Sequence, residues 1–324
     1  MANTLGTLDK GNPMAQNNSP AATLALEIAS CIEVQSALDS PSHPCHGVVS
    51  WQAKQWLPPI ATVSESPLHR PEAWTGDITT APIIFLSSNP SFNKDENYPN
   101  WITSNWGIEK VIDFALNRFS SNQLRMYGAT EYGSLKNFDR TVENGGALSK
   151  SRVRYWSWVR QLVSHILDKP EDEVSAASDY VMTEIVHCKS TYEEGVVSAR
   201  KKCKDKYLER ILALSPAELI FVVGKNAALD MHSIFPGQFP KDWAEINGGF
   251  WPKTVKDFPG ILKRGLWGVD EQTKHSVQIQ IGGKVRNVIY FAKPGGGGGL
   301  YAPWRNRELI HPELLEKWRN AIKG

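Results

Sequence analysis

Short apolar runs that end in turn-forming residues, each separated from the next by a helical stretch, constrain this chain's fold more than any other feature. Ala81 to Ser88 (APIIFLSS) closes on Asn89-Pro90, Tyr180 to Val186 follows the same pattern, and Glu218 to Gly224 (ELIFVVG) ends in glycine. Runs with so little polar alternation read as strands buried on both faces. Gln278 to Ala292 (QIQIGGKVRNVIYFA) reads as a hairpin turning at Gly282-Gly283, its second arm entering the sheet. Between the strands, 3.6-residue periodicity marks helices at Ala21 to Leu38, Trp106 to Phe119, Arg152 to Leu167, Ser198 to Leu214, Asn226 to Ser233 and Pro312 to Ile322. Strands alternating with helices predict an α/β fold with a mostly parallel central sheet covered on both faces.

The 324 residues can bury a full core. We expect one domain over residues 21–324, with insertions around 121–150 and 235–275, preceded by a polar tail over 1–20. That tail has no apolar h-region and no other run approaches membrane-crossing length, so a cytoplasmic protein with no membrane partner is expected. A net charge of +2 makes no general attractor for nucleic acid. Base is local: Lys150 to Arg160 (KSRVRYWSWVR) has aromatics interleaved, and Arg200 to Lys206 (RKKCKDK) follows. Each fits either a phosphate-tracking surface or a solvated helix face.

Strand exits are where open α/β sheets place ligands, and four sequence points fall there. The first is Leu86 to Phe92 (LSSNPSF), where a proline-held Asn89 can present its amide to a ligand or simply start a turn. The second is Thr183-Glu184 with His187-Cys188, leading to Cys203 in the next helix. The third is Val222-Val223-Gly224. The fourth, Ala292 to Tyr301 (AKPGGGGGLY), has five glycines that either bring backbone against a phosphate or form a flexible loop.

In this order the points resemble the uracil-DNA glycosylase superfamily, in particular its iron-sulfur branches, over about Ala21 to Gly299. Ser88-Asn89-Pro90-Ser91 stands where that superfamily has the turn that positions the hydrolytic water. Thr183 to Cys188 matches its T-N-x-x-x-C strand, and Lys293-Pro294-Gly295 its H-P-S loop. The resemblance implies a three-layer glycosylase-like fold, a monomer, and DNA as partner. It also implies a structural 4Fe-4S cluster on Cys31, Cys45, Cys188 and Cys203, the chain's four cysteines. Cys31 and Cys45 lie farther apart than the family's close pair, and zinc or four plain buried thiols also suit the residues.

Two departures bear on substrate. Glu184 replaces the family's base-reading Asn; ionised, it only accepts hydrogen bonds and suits the exocyclic amine of cytosine, although it can also serve as a cap or ion-pair partner. Lys293 replaces the histidine that stabilises the departing base, and can do so electrostatically, contact a phosphate or sit exposed. The implied chemistry is N-glycosidic hydrolysis of a flipped nucleotide, with Asn89 orienting water beside Asp95 or Glu96, and Glu184 and Lys293 as the other catalytic groups. Ser88, Phe92, Tyr98 and Trp101 are base-binding candidates. Lys189, Gly295, Gly296, Gly297, Leu300 and Tyr301 are DNA-binding candidates, the last two as wedges.

If burial raises the pKa of Glu184, its proton can serve N3 of the base. With the Trp- and Gly-rich insertions, the pattern resembles a bacterial anti-phage branch that removes glucosylated 5-hydroxymethylcytosine from phage DNA. Gln123 to Ser149 and Phe235 to His275 are available to line a wider pocket, with Trp243, Trp251 and Trp267 suited to a sugar face or to the core. A repair glycosylase for uracil or a damaged base, and a non-catalytic nucleic-acid-binding module with a structural metal, are the other readings.

Overall fold

A computed structural model describes residues 19–118, 139–241, 243, 276–291, 310 and 312–323. Six strands form one sheet: β1 (Trp74–Thr75), β2 (Ile83–Ser87), β3 (Val181–Glu184), β4 (Leu219–Val223), β5 (Ser276–Ile281) and β6 (Lys284–Phe291), in spatial order β1-β3-β2-β4-β6-β5. The four inner strands are mutually parallel, and β1 and β5 pair antiparallel at the two edges. The sheet is therefore mixed, which corrects the expectation of a mostly parallel one. The β5–β6 hairpin is the reason at one edge, since a tight turn can only return the chain antiparallel.

The described helices are α1 (Pro20–Ala29), α2 (Glu33–Asp39), α3 (His46–Ala53), α4 (Ile108–Asn117), α5 (Arg154–Leu167), α6 (Val196–Cys203), α7 (Glu209–Leu214), α8 (Lys225–Ile234) and α9 (Pro312–Ala321). A π-helical turn, Lys204–Leu208, joins α6 to α7. Ser19 caps α1, its hydroxyl accepting from the Ala22 amide with Pro20 opening the helix. Pro20–Asp39 has the length and mean hydropathy, 1.3, of a membrane-crossing segment, and half of it is buried. The chain breaks it at Ser30–Ile32 into two helices that pack into the protein core.

Period-two alternation divides the strands between two cores. Ile84, Leu86, Val181, Ile220, Val222, Val288 and Tyr290 face α1–α3 and α6–α8. Ile83, Phe85, Met182, Leu219, Phe221, Val223, Ile289 and Phe291 face α5 and α9 through Val159, Leu162, Val163, Ile166, Leu314, Leu315 and Trp318. Each such large apolar side chain contributes roughly 1.5–3 kcal/mol by leaving water. Trp243 is fully buried against Phe239 and Tyr290, so it packs the core; Trp251 and Trp267 lie outside the described residues.

The carboxyl ends of β2, β3 and β4 open together on one side. The chain leaves β2 for β3 on one flank and reaches β4 on the other, so this end is the switch point where such sheets admit ligands.

Candidate active site

A cavity of about 670 Å³ opens at that switch point. Its floor is made by the strand ends, Ser87, Met182, Glu184 and Val223; the β2 exit adds Ser88, Asn89, Pro90 and Ser91. One wall is Thr141, Glu143, Ser149 and Ser151, continuing into Tyr155 and Trp156 of α5, with exposed Lys150 and Arg152 at the rim. The wall is held to the β2 exit by backbone bonds from Asn97 N to Val142 O (2.7 Å) and Asn144 N to Asp95 O (2.7 Å). The surface segment expected near Gln123 to Ser149 thus lines the site in its described part.

Glu184 is paired in register with Ser87 of β2 and is only 6% exposed. Its buried Oε2 makes no hydrogen bond among the described residues. Burial, then the charge of nearby Glu72, pushes its carboxyl well above the ordinary carboxylate range; Lys189, Arg118 and the Ser87 hydroxyl pull the other way and lose.

Charge balance explains that outcome. On the cavity lining, Lys189 Nζ donates to Glu72 and Glu96, each at 3.1 Å, and Arg118 behind them pairs with Glu72 (3.0 Å) and with Glu96. Two buried cations thus neutralise two buried carboxylates, and Glu184 is the third carboxyl of the group. Burial would raise Glu72, yet Lys189 and Arg118 outweigh it and hold Glu72 below its usual range. A buried carboxyl whose nearby cations are already matched by other carboxylates has its pKa raised.

Asn89 is half-buried, and its Nδ2 donates to Ser190 Oγ (3.0 Å) and Pro90 O (3.0 Å). Ser190 N also donates to Pro90 O (3.1 Å), so the exits of β2 and β3 are tied together, and the Asn89 amide group is fixed at the cavity lining.

Other expectations change. Lys189, a DNA-binding candidate by sequence, stands on the cavity lining but is 2% exposed, held by Glu72 and Glu96, with its ammonium 3.7 Å from the Tyr98 ring centroid. Tyr98 lies under the site in that network, Phe92 packs on Trp51 and His69, and Trp101 lies against Arg70; none of the three lines the cavity. The loop after Asn89 turns down into the core, so aromatics near the motif in sequence are spent on packing. Among the described residues, Tyr155, Trp156 and Tyr192 are the aromatics that line the cavity. Glu96 is ion-paired and Asp95 exposed. Lys293, Gly295, Gly296, Gly297, Leu300 and Tyr301 lie outside the described residues.

The basic segments divide likewise. Arg160 is buried with Asp139, whereas Lys150, Arg152 and Arg154 are exposed. Arg200 and Lys204 pair with Asp230, and Lys201 with Asp205, so Arg200 to Lys206 is largely a paired helix face.

Cys31, Cys45, Cys188 and Cys203 line one small second cavity with His187 and Tyr207, and none is in a disulfide. They come from four separate chain segments. Cys203 hydrogen-bonds the Cys45 sulfur, which lowers the Cys45 thiol and raises Cys203; burial with Cys31 and Cys45 nearby raises Cys188. The Tyr207 hydroxyl donates to Cys31 Sγ at 3.4 Å. The His187 Nδ1–H donates to Glu72 O at 2.7 Å, and burial lowers the ring's pKa to about 4. Among the described residues no three Cys, His, Asp or Glu side chains stand at the geometry of a metal-ion shell. The donor set nonetheless fits an all-thiolate group, because four thiols converge on one small cavity beside Tyr207 and the buried His187.

Glu72, Ser190, Tyr155, Trp156 and Glu143 belong to the site without being singled out by sequence. Tyr155 and Trp156 lie within the aromatic and basic run over Lys150 to Arg160, the one signal that reached them. No protein-family model matches the chain, and no curated protein matches it significantly.

Proposed function

We propose that the chain is a DNA glycosylase of the uracil-DNA glycosylase superfamily that hydrolyses the N-glycosidic bond of an extruded, modified cytosine. Glucosylated 5-hydroxymethylcytosine of phage DNA is the substrate that best suits it. The observation that carries the reading is Glu184: a buried carboxyl, its pKa raised by that burial and its Oε2 without a hydrogen-bond partner among the described residues, on the floor of a cavity at the sheet's switch point.

Cytosine leaves poorly as an anion, and a proton at N3 improves it. The neutral Glu184 donates that proton while its carbonyl oxygen accepts from the exocyclic amine. The C1′–N1 bond breaks with its electron pair going to the base. A water held by the Asn89 carboxamide adds to C1′, and the proton it loses restores the Glu184 acid. The product is an abasic site. At about 670 Å³ the cavity matches the roughly 300–1,000 Å³ typical of sites for larger organic ligands, which supports a base carrying a substituent. The polar wall of Thr141, Glu143, Ser149 and Ser151 suits a hexose. Lys150 and Arg152 at the rim suit phosphates.

Cys31, Cys45, Cys188 and Cys203 would hold a structural 4Fe-4S cluster. Its contribution when bound is to tie the β3 exit and α6 to the N-terminal helices.

Uracil excision is the second reading, and the same carboxyl favours it. A neutral Glu184 donates and accepts at once, so it also fits N3–H and O4 of uracil. Duplexes carrying uracil, cytosine, hydroxymethylcytosine or glucosylated hydroxymethylcytosine, each scored for alkali-labile abasic sites, separate the readings. We expect product from the glucosylated duplex and little from the uracil duplex. Product from uracil alone selects the second reading, and binding without product on any duplex refutes both.

A further inference from the structure

Resting on that glycosylase reading, we infer that Tyr192 is a side chain that enters the DNA stack beside the extruded nucleotide. Tyr192 is 92% exposed and stands on the cavity lining. An isolated exposed tyrosine has no significance of its own. Its backbone sets it apart. Tyr192 (φ 56°) and Glu193 (φ 61°) are consecutive non-glycine residues in the left-handed region, an uphill conformation that persists only where surrounding structure imposes it.

The surroundings impose it on both sides. Before Tyr192, Ser190 is bonded to Asn89 and Pro90. After it, the Glu193 carboxylate accepts from Asn226 Nδ2 at 2.7 Å, and Gly195 (φ 71°) is pressed against the Gly47 and Val48 backbone. Farther out, Cys188 and Cys203 anchor the two ends at the thiol cavity. A strained loop held at these points thus projects the Tyr192 ring at the mouth of the site. Such a ring can stack on a base face or fill the gap left by an extruded nucleotide. The basic rim of Lys150 and Arg152 lies on the same cavity.

Opening a duplex needs a wedge, whereas an unpaired strand presents its base without one. Single-turnover abasic-site formation is therefore measured on the same modified cytosine in duplex and in single-stranded DNA, with wild type, Tyr192→Ala and Tyr192→Phe. The expected result is a duplex-to-single-strand rate ratio at least about tenfold lower in Tyr192→Ala and within about twofold of wild type in Tyr192→Phe. An unchanged ratio in Tyr192→Ala, whether both rates fall together or neither falls, overturns the inference while leaving the glycosylase reading intact. Absence of product from wild type on both strands overturns the two together.

Discussion

Glu184 sits one strand away from a balanced ion network and outside its balance. Arg118 and Lys189 are already matched by Glu72 and Glu96, so ionising Glu184 would add an uncompensated buried charge. The consequence for stability has a definite sign. A carboxyl whose folded pKa is raised binds more protons folded than unfolded, so its contribution is fully present below the ordinary glutamate range and lost as pH climbs through the raised value. Glu184→Gln carries the neutral shape without the titration. Its unfolding free energy, measured by denaturant at a series of pH values, should gain on wild type as pH rises, by about 1.4 kcal/mol for each unit of raised pKa traversed. Parallel curves would mean that Glu184 ionises normally. The residue itself was legible, being one of two departures in strand-exit motifs. Its partner Glu72 was not: it stands 112 positions earlier, and no local pattern announces a contact made only by tertiary folding.

At the scale of elements, the sequence read most easily where apolar runs were long. β2, β4, the β5–β6 hairpin and helices α4, α5, α8 and α9 stand within a few residues of their expected bounds. α3 escaped notice because HGVVSWQA opens on Cys45 without a side-chain cap and has little amphipathic contrast. β1, with two residues, is too short to show any period. The helix expected over Ala21 to Leu38 is two helices, since three non-helical residues at Ser30–Ile32 let both pack on the sheet. The loop between β3 and α6 depends on Gly195, where a Cβ would overlap the Gly47 carbonyl and the Val48 amide at a φ of 71°. Gly195→Ala should cost on the order of 2 kcal/mol or more of stability, read as a lower denaturation midpoint, because overlap and backbone strain add. A midpoint equal to wild type would show that α3 and α6 do not meet there.

Across the whole molecule, the two cavities divide the labour. One is large and built at the strand exits; the other is small and lined by the four thiols. The resemblance in sequence named Asn89 and Glu184 on the first and all four cysteines on the second; of its base-binding candidates, Phe92, Tyr98 and Trp101 pack on Trp51, Lys189 and Arg70 off the cavity lining, while α5 supplies Tyr155 and Trp156 from far along the chain. Protein purified without oxygen should carry about four irons and as many acid-labile sulfides per chain. A single zinc would reassign the thiols, and no metal would leave them as packing.

The most direct test of the account is the pH–rate profile of abasic-site formation on a modified-cytosine duplex, for wild type and Glu184→Gln. The wild-type rate should fall as pH rises through the elevated Glu184 pKa, and the variant should be about a hundredfold or more slower, its rate lacking that fall. A variant that keeps the wild-type rate across the pH range would contradict it.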